Sequence, residues 1–582
     1  MSFLSRIMVL KSRAHFADGG NRTSGSGSTP RFEGTRKKTG AQSRSRVTIL
    51  IACFDIAYCI VGGRLVQYGI AAPDSVSSIG PADKLMASRP DIIDRNGELL
   101  ATDIRTVSLY AEPHKIVDAD EAVERLRTVL PELDGRAIYR KLVSDSRFQW
   151  LKRQLTPKQQ SQILALGIPG VGFRPEKRRF YPGGATASHI LGHVNIDNRG
   201  VAGMERYIDN QGLADLAAIG MTSDAKLEPV RLSIDLRVQN IVRDVLVDAM
   251  AKYRAIAAGG VVLDTHTGEV LAMSSLPDYD PNNPAEGAEE GWLNRMSNGT
   301  YEMGSTFKSF TLAMALDSGK VSMNDSFDAR GSIHIGGFTI RDFHGKNRVL
   351  TVPEIFIYSS NIGTARMADL IGIEGHKEFL TRIGLLTRME TELPEVKTPS
   401  QPREWKKINS ITISFGHGVS TTPLQTAMST AAVVNGGWLI PPTFLPRTAE
   451  EAAAHATKVL KESTTRDMLT LMRMNVVKGS GRRAEVPGFV VGGKTGTAEK
   501  VVNGRYANDV RFNAFLAAFP IDNPRYIVLA IIDEPKSAPD GGGVTAGLNA
   551  APMVGEIIRR SAALLGVQPT FGEDGSALLV SY

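Results

Sequence analysis

Gly304-Ser305-Thr306-Phe307-Lys308 opens a largely apolar run that continues to Leu316. Phe307, Phe310, Thr311 and Met314 recur at the i, i+3, i+4, i+7 spacing of a buried helix face. The run is therefore expected to be helical, with Ser305 and Lys308 one turn apart and pointing the same way. A serine hydroxyl is a poor nucleophile until a neighbour takes its proton. A lysine takes it only when burial or nearby cations pull its pKa down. The start of a helix adds a positive dipole end that favours negative charge developing at Ser305. Alone, a Ser-x-x-Lys tetrad is weak evidence, since a helix cap with a solvated lysine is the commoner reason for it. Its company decides the matter, for Ser359-Ser360-Asn361 and Lys494-Thr495-Gly496-Thr497 follow in that order.

Each of these motifs carries chemistry. Ser359 and Asn361 are two apart, and in an extended or loop segment such residues point the same way. A hydroxyl there relays a proton and a carboxamide holds a substrate amide. Lys494 and the hydroxyls of Thr495 and Thr497 make a carboxylate-binding surface. Gly496, without a side chain, lets a substrate backbone lie close against the strand. Together they suit an acyl donor with a free carboxylate beside the scissile bond, with Ser305 forming an acyl-enzyme. No Cys/His cluster and no phosphate-cradling loop competes, so neither metal nor cofactor is expected. His189 and His193 have i, i+4 spacing but lack the acidic residue of a zinc-protease pattern, and are read as structural.

The rest of the 582-residue chain is organised around this core. Two or three domains are expected from the length. Residues 1–46 hold ten basic and two acidic residues, a net of +8, whereas the whole chain is +7. The basicity thus belongs to a Gly-, Ser- and Arg-rich tail, expected to be disordered, and the near-neutral body shows no nucleic-acid footprint. Residues 47–70 read as a single membrane-spanning helix with the positive flank in the cytoplasm. Asp55 inside that span is costly in lipid and is expected to face a partner helix. Cys53 and Cys59 both fall there, so the exported body needs no disulfides. Residues 71–230 alternate strand and helix patterns and include Asn96-Gly97, a signal for a two-residue hairpin turn. From residue 231 to 567 the order is a strand at Arg231–Asp235, a helix at Leu236–Tyr253 capped by Asp235, a hairpin around Thr265–Gly268, helices, then a three-strand meander and a final helix. That order is an α+β plan with helices against an antiparallel sheet. Residues 568–582 form a tail.

The three motifs in this order are the signature of penicillin-binding proteins and serine β-lactamases. The chain most closely resembles a class B penicillin-binding protein of the division-specific type, over about residues 47–565. Arg89–Ala101, Arg179–Gly192, Gly203-Met204-Glu205, Ser414–Val419 and Thr422–Gln425 also carry the resemblance. It implies a penicilloyl-serine-transferase (β-lactamase-like) domain behind an elongated α/β pedestal and a membrane anchor. It implies a peptidoglycan D,D-transpeptidase of the inner membrane, its catalytic domain periplasmic and at the septum. Ser305 then attacks the D-Ala-D-Ala bond of a stem peptide, with Lys308 as base, Ser359 as shuttle and Asn361 holding the substrate amide. The N–H groups of Ser305 and Thr497 form the oxyanion hole. The implied partners are stem peptides, lipid-linked precursor strands, a membrane glycan polymerase with other division proteins, and β-lactam antibiotics. One departure is Met303, where the family usually has proline. His417 is read as lining the cleft wall. An elongation-type transpeptidase is the alternative within the family. A β-lactamase or carboxypeptidase, a β-lactam sensor and a spent divisome scaffold are the alternatives outside it. One span, a pedestal and an intact motif set speak against these last three.

Overall fold

The computed structural model describes residues 50–62, 89–211, 227–286, 289–502, 505–539 and 543–570. The expected tail at 1–46, part of the expected span and the end of the 568–582 tail lie outside them. Residues 50–62 form a helix that exposes Leu50, Ile51, Phe54, Ile56, Ile60 and Val61. Among the described residues no helix is long and apolar enough to cross a membrane.

The larger unit is built on two sheets. In the C-terminal one the strand order is Gly492–Val502, Arg505–Phe519, Tyr526–Asp533, Ala257–Asp264 and Val270–Leu276, every neighbouring pair antiparallel. The expected hairpin and meander are thus one sheet, because the last strand of the meander pairs with the first strand of the hairpin. Tyr526–Asp533 is buried along its whole length, as a central strand covered on both faces must be. Helices Leu236–Tyr253 and Ala550–Ser561 cover one face, where Val242, Leu246, Val554 and Ile558 pack on Phe515 and Val528. Asp235 caps the first of these helices by accepting the Arg237 N–H.

The other face carries the helical layer that includes Lys308–Asp317, Val352–Tyr358, Asn361–Ile371, Pro423–Val434 and Glu462–Lys478. Periodicity predicts one buried face for Lys308–Asp317, but all ten residues are buried. The helix is wrapped by neighbours on every side, which explains the near-continuous apolar run.

The N-terminal sheet centres on Leu99–Ala111, flanked by Gln149–Leu155 and Val171–Phe180. Helices Ala119–Val129, Gly135–Leu142 and Pro157–Leu166 share a small core with it around Leu109, Leu126, Ile138 and Ile163. Two local expectations change. The link between Ile93 and Leu99 is not a two-residue turn, because the Asp94 carboxylate accepts the N–H groups of Asn96 and Glu98 and holds a longer loop. The strand expected at Arg231–Asp235 shrinks to Val230–Arg231, which pairs in parallel with Ile92–Ile93.

Three stretches far apart in sequence meet in this N-terminal region. Glu205 is fully buried between two arginines: its Oε2 accepts from Arg89 Nε at 2.9 Å and its Oε1 from Arg179 Nε at 2.6 Å. Arg179 also donates to the Pro90 carbonyl at 2.9 Å, and Asp103 accepts the Arg89 backbone N–H at 2.8 Å. His189 and His193 flank Tyr279, each ring 5.6 Å from it, and His189 Nε2 donates to the Gly291 carbonyl at 2.7 Å. That geometry packs a seam between the two sheets.

Candidate active site

Ser305 sits in a 3-10 turn, Gly304–Phe307, that runs directly into the helix Lys308–Asp317. Lys308 Nζ lies 3.0 Å from Ser305 Oγ, 3.0 Å from Ser359 Oγ, 2.6 Å from the Ser359 carbonyl and 2.7 Å from Asn361 Oδ1. An ammonium has three protons for these four oxygens, whereas a neutral amine has two protons and a lone pair. The Ser359 carbonyl and the Asn361 amide oxygen only accept, and theirs are the two shortest contacts. With the two protons of a neutral amine placed there, the lone pair is left for a serine hydroxyl proton. The Asn361 amide is oriented for this, since its Nδ2 donates to the Arg341 carbonyl at 2.9 Å.

The electrostatics favour the same state. Burial first, and then the neighbouring Lys494 charge, hold the Lys308 amine well below the usual lysine range, against an opposing pull from Asp342. Lys494 is buried as well, and burial lowers it to about 7. Its Nζ lies 3.0 Å from Ser359 Oγ, so that hydroxyl bridges two lysines at equal distances.

Ser359 and Asn361 do converge, but not by strand alternation. Ser359 ends the helix Val352–Tyr358 in a left-handed conformation, φ 56°, and Asn361 begins the next helix. The left-handed turn folds the Ser359 carbonyl and hydroxyl back to one amine. A non-glycine residue at positive φ stores strain, as functional turns often do.

The third motif lies along the strand Gly492–Val502. A Cβ on Gly496 would stand 2.4 Å from the Met303 carbonyl oxygen, and one on Gly416 would stand 2.0 Å from that of Gly304. The bare backbones of three segments therefore close around the nucleophile, which brings Thr497 beside the turn that carries Ser305. Thr497 Oγ1 accepts the Ala546 N–H at 3.1 Å and keeps its own proton to donate. Thr495 Oγ1 is 2.6 Å from Ser480 Oγ. His417 stands against Tyr506, ring centroids 5.5 Å apart, and is lowered to about 4 by burial and then by Lys308. It is a neutral imidazole in the wall of the cleft.

This geometry has counterparts. Residues 258–558 match the penicillin-binding protein transpeptidase domain, and residues 84–212 match the penicillin-binding protein dimerisation domain. The chain belongs to the penicillin-binding-protein transpeptidase family. It is 37% identical over 548 residues to the probable peptidoglycan D,D-transpeptidase FtsI of Caulobacter vibrioides, covering 92% of each chain. It is 33% identical over 569 residues to the probable peptidoglycan D,D-transpeptidase PenA of Neisseria meningitidis, covering 93% of this chain and 96% of that one. The crystal structure of a peptidoglycan synthetase from Bifidobacterium adolescentis shares the fold, with a TM-score of 0.64 at 23% identity over 84% of this chain and 97% of that one. With both modules present, the chain is a class B penicillin-binding protein and a serine D,D-transpeptidase.

The structure brings all eight expected residues of this penicillin-binding protein into one site: Ser305, Lys308, Ser359, Asn361, Lys494, Thr495, Gly496 and Thr497. Sequence reasoning missed their supports. Asp342 accepts Ser360 Oγ–H at 2.7 Å and the Ile362 N–H at 2.9 Å, and so pins the turn between Ser359 and Asn361. It follows one short ribbon of two three-residue strands, too brief to show a period. Asn475 donates to the Gly493 carbonyl at 2.8 Å, and Ser480 reaches both Asn475 and Thr495. The one sequence signal for this pair is Gly479-Ser480-Gly481 just past the helix Glu462–Lys478.

Proposed function

We propose that this protein cross-links peptidoglycan stem peptides through an acyl-enzyme on Ser305 during septal wall synthesis. Neutral Lys308 takes the Ser305 proton as Oγ attacks the carbonyl of the penultimate D-Ala. The oxyanion is held by the N–H groups of Ser305 and Thr497. Ser359, in contact with both lysines, passes a proton to the departing D-Ala amine. Lys494, Thr495 and Thr497 hold the substrate's terminal carboxylate, and Asn361 its amide. A second stem peptide's amine then displaces Ser305. β-Lactams acylate the same serine and stay. Residues 47–70 anchor the chain in the inner membrane with the enzyme in the periplasm, 71–230 serve as an elongated pedestal, and a membrane glycan polymerase of the division machinery supplies the strands.

The observation that carries the catalytic reading is the Lys308 amine with two acceptor-only oxygens and two serine hydroxyls around it. Fluorescent penicillin is expected to label the wild-type chain covalently. Ser305→Ala is expected to abolish the label, since losing the nucleophile of an acyl transfer costs many orders of magnitude. Label that persists in Ser305→Ala, on another serine, contradicts the assignment.

A further inference from the structure

Glu302 stands three residues before the nucleophile with its carboxylate partly buried. Its Oε1 accepts the Gly418 N–H at 2.7 Å, and the Tyr506 hydroxyl lies 3.2 Å from each carboxylate oxygen. Both donors are neutral. Among the described side chains no basic group forms an ion pair with it. Several carboxylates in this fold are matched by a cation, Glu205 by two arginines, Asp533 by Lys500 and Asp278 by Arg243, whereas Glu302, like buried Asp94, is held by neutral donors. Desolvating a carboxylate without a counter-charge is costly. A glutamine's single amide oxygen could accept from both Gly418 and Tyr506, so holding the loop does not by itself call for a charge.

The position of Glu302 suggests what the charge is for. Gly416 packs directly on Gly304, and the next residue, His417, stands against Tyr506, whose hydroxyl reaches Glu302. His417, Tyr506 and Glu302 therefore follow one another beside the turn that carries the nucleophile. Two other sides are occupied, one by Ser359 and Asn361 and one by Lys494, Thr495 and Thr497. The second reactant is an amine, and in neutral water it arrives as an ammonium. Lysines on the other walls repel it whenever they are charged, whereas a carboxylate beside aromatic rings attracts it.

We propose that Glu302, held by Tyr506 and Gly418, receives the ammonium of the acceptor peptide and guides it to the acyl-enzyme on Ser305. His417 and Tyr506 line its approach. The ammonium gives one proton to solvent. Its nitrogen attacks the ester carbonyl, the C–N bond forms, the C–Oγ bond breaks, and the second N–H proton returns to Ser305 Oγ through Lys308. This assignment rests on the acyl-transfer function proposed above.

The test measures how the acyl-enzyme partitions. Full-length protein in detergent is acylated with an acyl-D-alanyl thioester. Capture by a peptide with a free side-chain amine is compared with hydrolysis, and then with capture by hydroxylamine, which is neutral at neutral pH. Glu302→Gln keeps one acceptor oxygen for the Gly418 N–H and the Tyr506 hydroxyl and removes the charge. The amine-to-water partition is expected to fall about tenfold in this variant, while the hydroxylamine-to-water partition is unchanged. Glu302→Asp, which keeps the charge, is expected to retain most of the preference for the ammonium. An unchanged amine partition in Glu302→Gln overturns the proposal. Equal losses for both nucleophiles assign Glu302 a purely structural part and overturn it too. Absence of any acyl-enzyme on Ser305 in the wild-type chain is a separate result, and it overturns the transpeptidase mechanism along with the proposal.

Discussion

Lys308→Arg is expected to lower the rate of acylation by penicillin by about 10²–10⁴-fold, the usual loss when a general base is removed. The reason is specific to the exchange. The Lys308 amine is buried and close to Lys494, and both effects favour its neutral form. A guanidinium keeps its proton in proteins, and its planar fork does not match four oxygens gathered around one nitrogen. Lys494→Arg is expected to retain more activity, because there a positive charge for the substrate carboxylate is the main need. Stopped-flow acylation of both variants checks this. A Lys308→Arg enzyme that acylates at close to the wild-type rate removes Lys308 from the role of base.

The second large effect concerns stability. Glu205→Gln is expected to destabilise the N-terminal region by about 3–5 kcal/mol, the cost typical of removing one partner from a buried ion pair. Glu205 is completely buried and neutralises Arg89 and Arg179 together. Arg89 keeps Asp209 and Arg179 keeps Asp103, but neither of these carboxylates reaches both guanidinium groups. Thermal unfolding and limited proteolysis of the wild-type and variant proteins read the change. A variant that melts with the wild type and resists protease equally well contradicts this account of the cluster.

The sequence made the catalytic plan readable because its motifs are local. Ser305 and Lys308 share one turn, and Lys494 to Thr497 share one strand, so spacing alone predicts their neighbours. The helix Leu236–Tyr253 was legible for the same reason, with Asp235 as its cap. What was not legible depends on tertiary closure. Ser359 and Asn361 meet at Lys308 through a left-handed turn that strand alternation does not describe. Asp342 and Ser480 act on residues 15 to 20 positions away through loops that carry no periodic signal. The full burial of Lys308–Asp317 shows why its apolar run lacks a polar face, which a one-face pattern underestimates. Arg89, Arg179 and Glu205 stood out only as resemblances, and their common purpose appears when the chain brings them within hydrogen-bond distance.

Acylation requires the Lys308 amine to be neutral when Ser305 attacks, and the pH dependence of penicillin acylation tests this most directly. Lys308 is lowered well below the usual lysine value, so its neutral form grows as pH rises through that depressed pKa. Lys494, lowered to about 7, loses its charge as pH rises through that value, which weakens its hold on the substrate carboxylate. The predicted acylation profile has an acid limb lying well below the ordinary lysine pKa, and a decline where Lys494 loses its charge. Lys494→Arg, whose charge does not titrate, is expected to flatten that decline and keep the acid limb. A rate that instead climbs about tenfold per pH unit toward the ordinary lysine pKa, about 10.4, would mean that Lys308 is charged at neutral pH, and would contradict the account.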